Sequence, residues 1–119
     1  GVEVELELDD DLEVPAGVEL QLLRIIQEAL SNVRKHSGAD EAAVTVRREG
    51  DRIVAAVRDD GVGFDPQLRR SSSGPRFGLA IMRERAEGVG GTMQLVSSAG
   101  RGTVVAVELP LTESVRGVS

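Results

Sequence analysis

Residues 59–65 read Asp59-Asp60-Gly61-Val62-Gly63-Phe64-Asp65 (DDGVGFD). Two adjacent acids are followed by two glycines one residue apart, and a third acid closes the run. The alternating stretch from Ile53 to Arg58 comes just before it and reads as a strand, so the loop opens where a strand ends. Glycines at 61 and 63 permit positive φ and close approach of another group to the backbone. Taken alone, the stretch is equally well a ligand loop or a glycine-rich turn with acidic decoration.

Outward from this loop the chain alternates between two periodicities. On its N-terminal side, Ala43 to Glu49 also alternates, and Gly50-Asp51 joins it to Ile53–Arg58 as a hairpin. Further back, residues 18–36 place Leu22, Ile26, Ala29, Leu30 and Val33 at helical spacing, with Gly38 as the C-cap. Val2 to Leu8 sets Val2, Val4, Leu6 and Leu8 against Glu3, Glu5 and Glu7, the pattern of a half-buried strand with a solvated acidic face. On the C-terminal side, residues 66–77 show no apolar periodicity and are expected to be mobile. Phe77 to Glu87 reads as a helix with Leu79, Met82 and Ala86 on one side, stopped by Gly88, Gly90 and Gly91. Thr92 to Ser97 and Thr103 to Leu109 are strands joined by Ser98-Ala99-Gly100-Arg101-Gly102. Pro110 closes the last strand, and residues 112–119 are expected to be a poorly ordered tail. The order β-α-β-β-loop-α-β-β has too few helices to cover both faces of a sheet. The expected class is α+β, a two-layer α/β sandwich with a mixed sheet of about five strands and helices on one face.

Composition narrows the functions available. The 119 residues suit one domain, expected over residues 1–111. Aromatics are only 2%, with no Trp or Tyr, so a base-stacking surface for nucleic acid is not expected. The net charge of −6 argues against non-specific binding to nucleic acid or an anionic membrane. An anionic substrate would need a local positive patch or a metal ion. The absence of Cys and the single His exclude disulfides, thiolate sites and multi-histidine metal sites. No apolar run approaches membrane-spanning length. The chain starts without Met, inside a strand-like pattern, and is expected to be a piece of a longer protein.

Four segments carry more polar or glycine residues than packing needs. On the long helix, Glu28 and Asn32 are four apart and project from the same side, roughly opposite Ile26 and Leu30. A carboxylate and an amide oxygen there suit a hard cation such as Mg²⁺, and Lys35 one turn on could meet a phosphate. A solvated helix face with a Glu–Lys ladder is the plain alternative. In the quoted loop, a buried Asp59 could accept a hydrogen bond from an amino group such as adenine's. Gly74-Pro75-Arg76-Phe77-Gly78-Leu79 feeds a helix N-terminus, where free N–H groups favour phosphate. Gly100-Arg101-Gly102-Thr103 turns into the last strand, so that Thr103 could reach toward a ligand beside Asp59. Each of these two also has an ordinary structural reading as a glycine-containing loop and a hairpin turn.

In this order the four segments resemble the ATP-binding catalytic domain of bacterial sensor histidine kinases, within the gyrase/Hsp90/histidine-kinase/MutL (GHKL, Bergerat-fold) ATPase superfamily. The run from Glu28 to His36 resembles the N box, and Asp59-Asp60-Gly61-Val62-Gly63-Phe64 resembles the G1 box. The run from Phe77 to Glu87 resembles the G2 region with its following helix, and Gly100-Arg101-Gly102-Thr103 resembles the final glycine-threonine motif. The likeness covers nearly the whole chain. The MRERAE run (Met82–Glu87) and Glu-Ala-Leu-x-Asn-x-x-Lys-His are most similar to the subgroup paired with LuxR/NarL-type response regulators.

The resemblance implies roles residue by residue. Asn32 would coordinate Mg²⁺ bridging the ATP phosphates, and Glu28 would help hold that ion or its waters and polarise the attacking group. Lys35 would contact phosphate, and His36 would stack on adenine. Asp59 would accept from the adenine amine, with Gly61 and Gly63 admitting base and sugar. Residues 66–77 would be the ATP lid, Gly78 and Leu79 would cap the phosphate end, and Thr103 would support Asp59. Many relatives have Gly-x-Gly-x-Gly in the second glycine box, whereas here Arg76 stands at the middle glycine; Pro75 and Arg76 would make the hinge stiffer and more cationic, with either a further phosphate contact from Arg76 or a different ordering of the lid as the consequence. The implied parent transfers the γ-phosphoryl group of ATP to a His on a dimerisation hairpin that this stretch lacks. The resemblance further implies a monomeric isolated domain and a cytoplasmic location, with a membrane-anchored parent equally compatible. An anti-sigma-factor-type serine kinase of the same superfamily and a non-catalytic nucleotide-binding module are the alternatives.

Overall fold

The computed structural model describes residues 2–9, 12–62, 79–97 and 100–111, with residues 36 and 37 described at the backbone alone. The expected lid at 66–77, the tail at 112–119 and the site residues Gly63, Arg76 and Gly78 lie outside the described residues. The elements are β1 (Glu3–Leu8), α1 (Ala16–Asn32), β2 (Glu41–Glu49), β3 (Arg52–Asp59), α2 (Leu79–Gly88), β4 (Thr92–Ser97) and β5 (Thr103–Pro110).

One mixed sheet of five strands has the order β1-β2-β3-β5-β4. β1 runs parallel to β2, and every other pairing is antiparallel. The parallel step follows from α1, which carries the chain back between β1 and β2. α1 and α2 pack on one face and on each other. This is the expected two-layer sandwich.

The period-2 pattern of the central strands converts directly into burial. Val44 and Val46 of β2, Ile53, Ala55 and Val57 of β3, and Val105, Val107 and Leu109 of β5 are all buried against the helices. They meet Val18, Leu22, Ile25 and Ala29 of α1, Val33 directly after it, and Met82 and Ala86 of α2. Of the expected apolar face, Leu22, Ala29 and Val33 are buried, while the stripe centres on Ile25 in place of Ile26 and Leu30. Those two are only half-buried at its margin.

β1 departs from expectation. Val4, Leu6 and Leu8 share the helix face with Ala42, Val44 and Val46 through the β1–β2 register, yet they remain 45%, 61% and 56% exposed. The alternation is that of a half-buried strand, but the two helices cover the middle of the sheet and do not reach its β1 edge.

Two ends of the helical layer position the site. α1 does not run as one α-helix to residue 36. It passes at Val33 into a single π-helical turn, Val33–Ser37, which closes on Gly38 at φ 68° in the left-handed region. A π turn rotates Lys35 away from a straight continuation of the Glu28–Asn32 line. At the far end of α2, Gly91 donates its N–H to the Ala86 carbonyl. A Cβ on Gly91 would collide with the Glu108 carbonyl and the Leu109 side chain, so the helix-to-strand turn needs glycine there.

Candidate functional site at the end of the sheet

The loop after β3 is built from its first two acids. Asp59 is the last inward-facing residue of β3, following Ile53, Ala55 and Val57, and it is the one buried charged side chain among the described residues, at 7% exposure. The Gly61 N–H donates to Asp59 Oδ1 at 2.8 Å, turning the chain away from the strand. Asp60 is exposed and acts locally. Its Oδ1 accepts from the backbone N–H groups of Asp40 and Glu41 at 3.1 and 3.2 Å, tying the loop to the start of β2. Gly61 is buried, and it is not among the described glycines with positive φ, which are Gly38, Gly50, Gly90, Gly100 and Gly102. Its contribution is its N–H and its small size.

Register brings distant residues beside Asp59. Ala42, Asp59, Thr103 and Ser97 lie opposite one another across β2, β3, β5 and β4, in one row on the helix face at the end of the sheet. Ser97 Oγ and Thr103 Oγ1 are 2.8 Å apart, and Ser97 Oγ lies 3.1 Å from the Gly102 carbonyl, to which it donates. Gly102 has φ 83°, and a Cβ there would overlap the Asp59 carbonyl oxygen. The Gly100 N–H donates to the Val62 carbonyl, so the β4–β5 turn and the loop after β3 are joined.

The C-terminal end of α1 arrives at the same end of the sheet. After the π turn the chain needs only Gly38 to Asp40 before entering β2 beside Asp59 and Asp60. At about 100° per residue, Glu28 and Asn32 flank the buried stripe of α1 on one side, and Ile26 and Leu30 flank it on the other. Both polar residues are half-buried. Gln21, two turns before Glu28 on that same flank, accepts from the Arg85 guanidinium of α2 at 3.2 Å, so α2 docks along this side. Leu79, at the first turn of α2, is half-buried against the core. Lys35 is exposed.

Asp59, Gly61 and Thr103 are therefore brought together, and the helix end bearing Glu28 and Asn32 comes to the same edge of the sheet. The side chain of His36, and Gly63, Arg76 and Gly78, are outside the described residues. Sequence reading missed Ser97 as part of this site, and it placed Gly102 in the glycine-threonine segment without giving it a role. The signal available was a polar residue, Ser97, closing the inward-facing row Met93, Leu95, Ser97.

A cleft of about 420 Å³ lies nearby at the ends of β1, β2 and β3, lined by Glu3, Glu5, Glu41, Arg58, Asp59 and Asp60 among others. Its carboxylates would repel a polyphosphate. The hydroxyl-lined row on the helix face has the better chemistry for a nucleotide base.

Residues 17–113 match the family model of the histidine kinase-, DNA gyrase B- and HSP90-like ATPases. The chain belongs to this ATPase family. It is an ATP-binding catalytic domain of the kind carried by sensor histidine kinases. It is 36% identical over 115 residues to the sensor histidine kinase LiaS of Bacillus subtilis, covering 96% of this chain and 31% of LiaS. To the sensor protein VraS of Staphylococcus epidermidis it is 39% identical, covering 85% of this chain and 28% of VraS. The chain thus spans about a third of the length of these relatives or less. Among solved structures, the blue-light activated histidine kinase of Erythrobacter litoralis superposes with a TM-score of 0.78 at 21% identity, covering 99% of this chain and 37% of that one. The catalytic domain of histidine kinase ThkA superposes with a TM-score of 0.76 at 20% identity, covering 94% of this chain and 80% of that one. At these identities the two structures bear on the fold alone.

Proposed function

We propose that this domain holds ATP·Mg²⁺ in the corner between the Asp59–Thr103 row and the C-terminal half of α1. In this reading its parent transfers the γ-phosphoryl group to a His on a separate dimerisation hairpin, for relay to a response regulator of the LuxR/NarL type. The observation that carries the reading is the buried Asp59, with Gly61 and Thr103 beside it, at the end of the sheet where the Glu28–Asn32 helix terminates. An inward-facing carboxylate needs a donor. Gly61 occupies Oδ1, and an amino group on a flat base would serve Oδ2.

The donor set fits the cation. Among the described residues no cluster of three His, Cys, Asp or Glu side chains exists. Glu28 and Asn32 offer one carboxylate and one amide oxygen on one helix flank, which suits Mg²⁺ completed by water and phosphate oxygens. Bound there, Mg²⁺ would supply charge neutralisation at the phosphates. The chain's own work is placement: Asp59, Gly61, Gly63 and Thr103 seat the base, and Lys35, Arg76, Gly78 and Leu79 serve the phosphate end. His36 stands beside adenine, and residues 66–77 close as the lid. Such positioning is the main protein contribution to phosphoryl transfer. The domain spans residues 1–111, acts as a monomer when isolated, and works in the cytoplasm. The sensor-kinase relatives weigh against the serine-kinase and non-catalytic alternatives.

Calorimetric titration tests the assignment. Asn32→Ala should abolish the Mg²⁺-dependent part of ATP binding, and Asp59→Asn should weaken binding with or without Mg²⁺. Wild-type affinity in both variants would overturn it.

A further inference from the structure

We propose that Ser97 is a positioning residue that makes the Thr103 hydroxyl an obligate hydrogen-bond acceptor, and that this selects 6-aminopurine over 6-oxopurine nucleotides. The inference rests on the ATP reading above and adds a residue to it.

It follows from proton bookkeeping along the row. A serine hydroxyl has one proton to donate. The Gly102 carbonyl, 3.1 Å from Ser97 Oγ, has none, so Ser97 is the donor in that bond. If Ser97 instead turned its proton to Thr103, two oxygens bearing only lone pairs would face each other at 3.1 Å. With the Ser97 proton committed to Gly102, the 2.8 Å contact between Ser97 Oγ and Thr103 Oγ1 must take its proton from Thr103. Thr103 then has lone pairs and no proton left for a ligand.

The acceptor of the relay is itself held in place. Gly102 is buried, sits at φ 83° and packs against the Asp59 backbone, so its carbonyl direction is set by the same contact that seats Asp59. Thr103 lies opposite Asp59 in the β3–β5 register, at the spacing of a cross-strand pair. A base lying on Asp59 would therefore meet two acceptors, a carboxylate oxygen and Thr103 Oγ1. An amino group at the purine 6-position satisfies both, directly or through a shared water. A 6-oxo group would set acceptor against acceptor.

The test is titration of the 119-residue chain with ATP·Mg²⁺ and with inosine triphosphate·Mg²⁺, whose bases differ at the 6-position, for wild type, Ser97→Ala and Ser97→Thr. Wild type should prefer ATP. Ser97→Ala frees the Thr103 proton for a 6-oxo group, so the ratio of ATP to inosine triphosphate affinity should fall about fivefold, the scale of one net neutral hydrogen bond. Ser97→Thr keeps the hydroxyl and should restore the ratio. A general loosening of the site would lower both affinities and leave the ratio alone. Should Ser97→Ala not fold, Ser97→Cys removes the good acceptor at similar size and should lower the ratio as well. ATP binding with an unchanged ratio in the Ala or Cys variant would overturn the Ser97 relay and leave the ATP site standing. Failure of wild type to bind either nucleotide would overturn the ATP reading, and the relay with it.

Discussion

Asp59 and Asp60 are adjacent acids with the same chemistry and different surroundings. Asp59 continues the inward-facing positions of β3 and is buried, while Asp60 stays at the surface and accepts from the N–H groups of Asp40 and Glu41. The inward position of Asp59 is readable from the alternation Ile53, Ala55, Val57, Asp59, because strand period fixes the face. The importance of Gly102 is not, because the atom it must avoid, the Asp59 carbonyl, lies 43 residues away in the chain and beside it only in the folded sheet. Gly102→Ala should therefore cost more than about 2 kcal/mol in a urea melt, combining a left-handed φ with a collision against paired strand backbone that yields only by shifting. It should also weaken ATP binding, since relief of the collision displaces Asp59. A wild-type melt for this variant would show that the β4–β5 turn does not brace Asp59.

At the scale of elements, α1 shows what periodicity can and cannot specify. The helix itself, its apolar side and its stop at Gly38 are all legible in spacing and in one glycine. The centre of the buried stripe is not, because two overlapping sets of apolar residues, one through Ile25 and one through Ile26, share the same turns. Packing over β3 and β5 selects Ile25, which is 1% exposed, and leaves Leu23 half-exposed at 51%. Ile25→Ala should accordingly lower stability by about 2–4 kcal/mol, and Leu23→Ala by less than about 0.5 kcal/mol. Thermal or urea melts of the two variants read the difference directly. The π turn was equally invisible in the sequence, since a wider turn at a helix end leaves no mark on spacing.

At the scale of the molecule, the sheet has a covered centre and an uncovered edge. Ile53, in central β3, has no exposure, whereas Leu6 in β1 is 61% exposed despite facing the same side. Both sit in alternating strands, so pattern alone gives them equal weight. Ile53→Ala should cost about 2–5 kcal/mol and Leu6→Ala less than about 1 kcal/mol, judged by the same melt. Equal losses would mean that the β1 face is buried in solution. The Arg52–Glu108 ion pair, 3.1 Å long and about half exposed on each partner, adds little to this balance.

The sequence by itself determined the order of elements, the inward faces of the central strands, the glycine boundaries and, through four motifs in order, the family. Each of these rests on local spacing or on the chemistry of a short run. Only the tertiary structure decided that Thr103 and Ser97 stand in a row with Asp59, that Gly102 lies against its backbone, and that the apolar side of β1 remains uncovered. Those facts depend on strand register and on how far two helices extend over five strands. Both are set by pairing between segments tens of residues apart, which no local window contains.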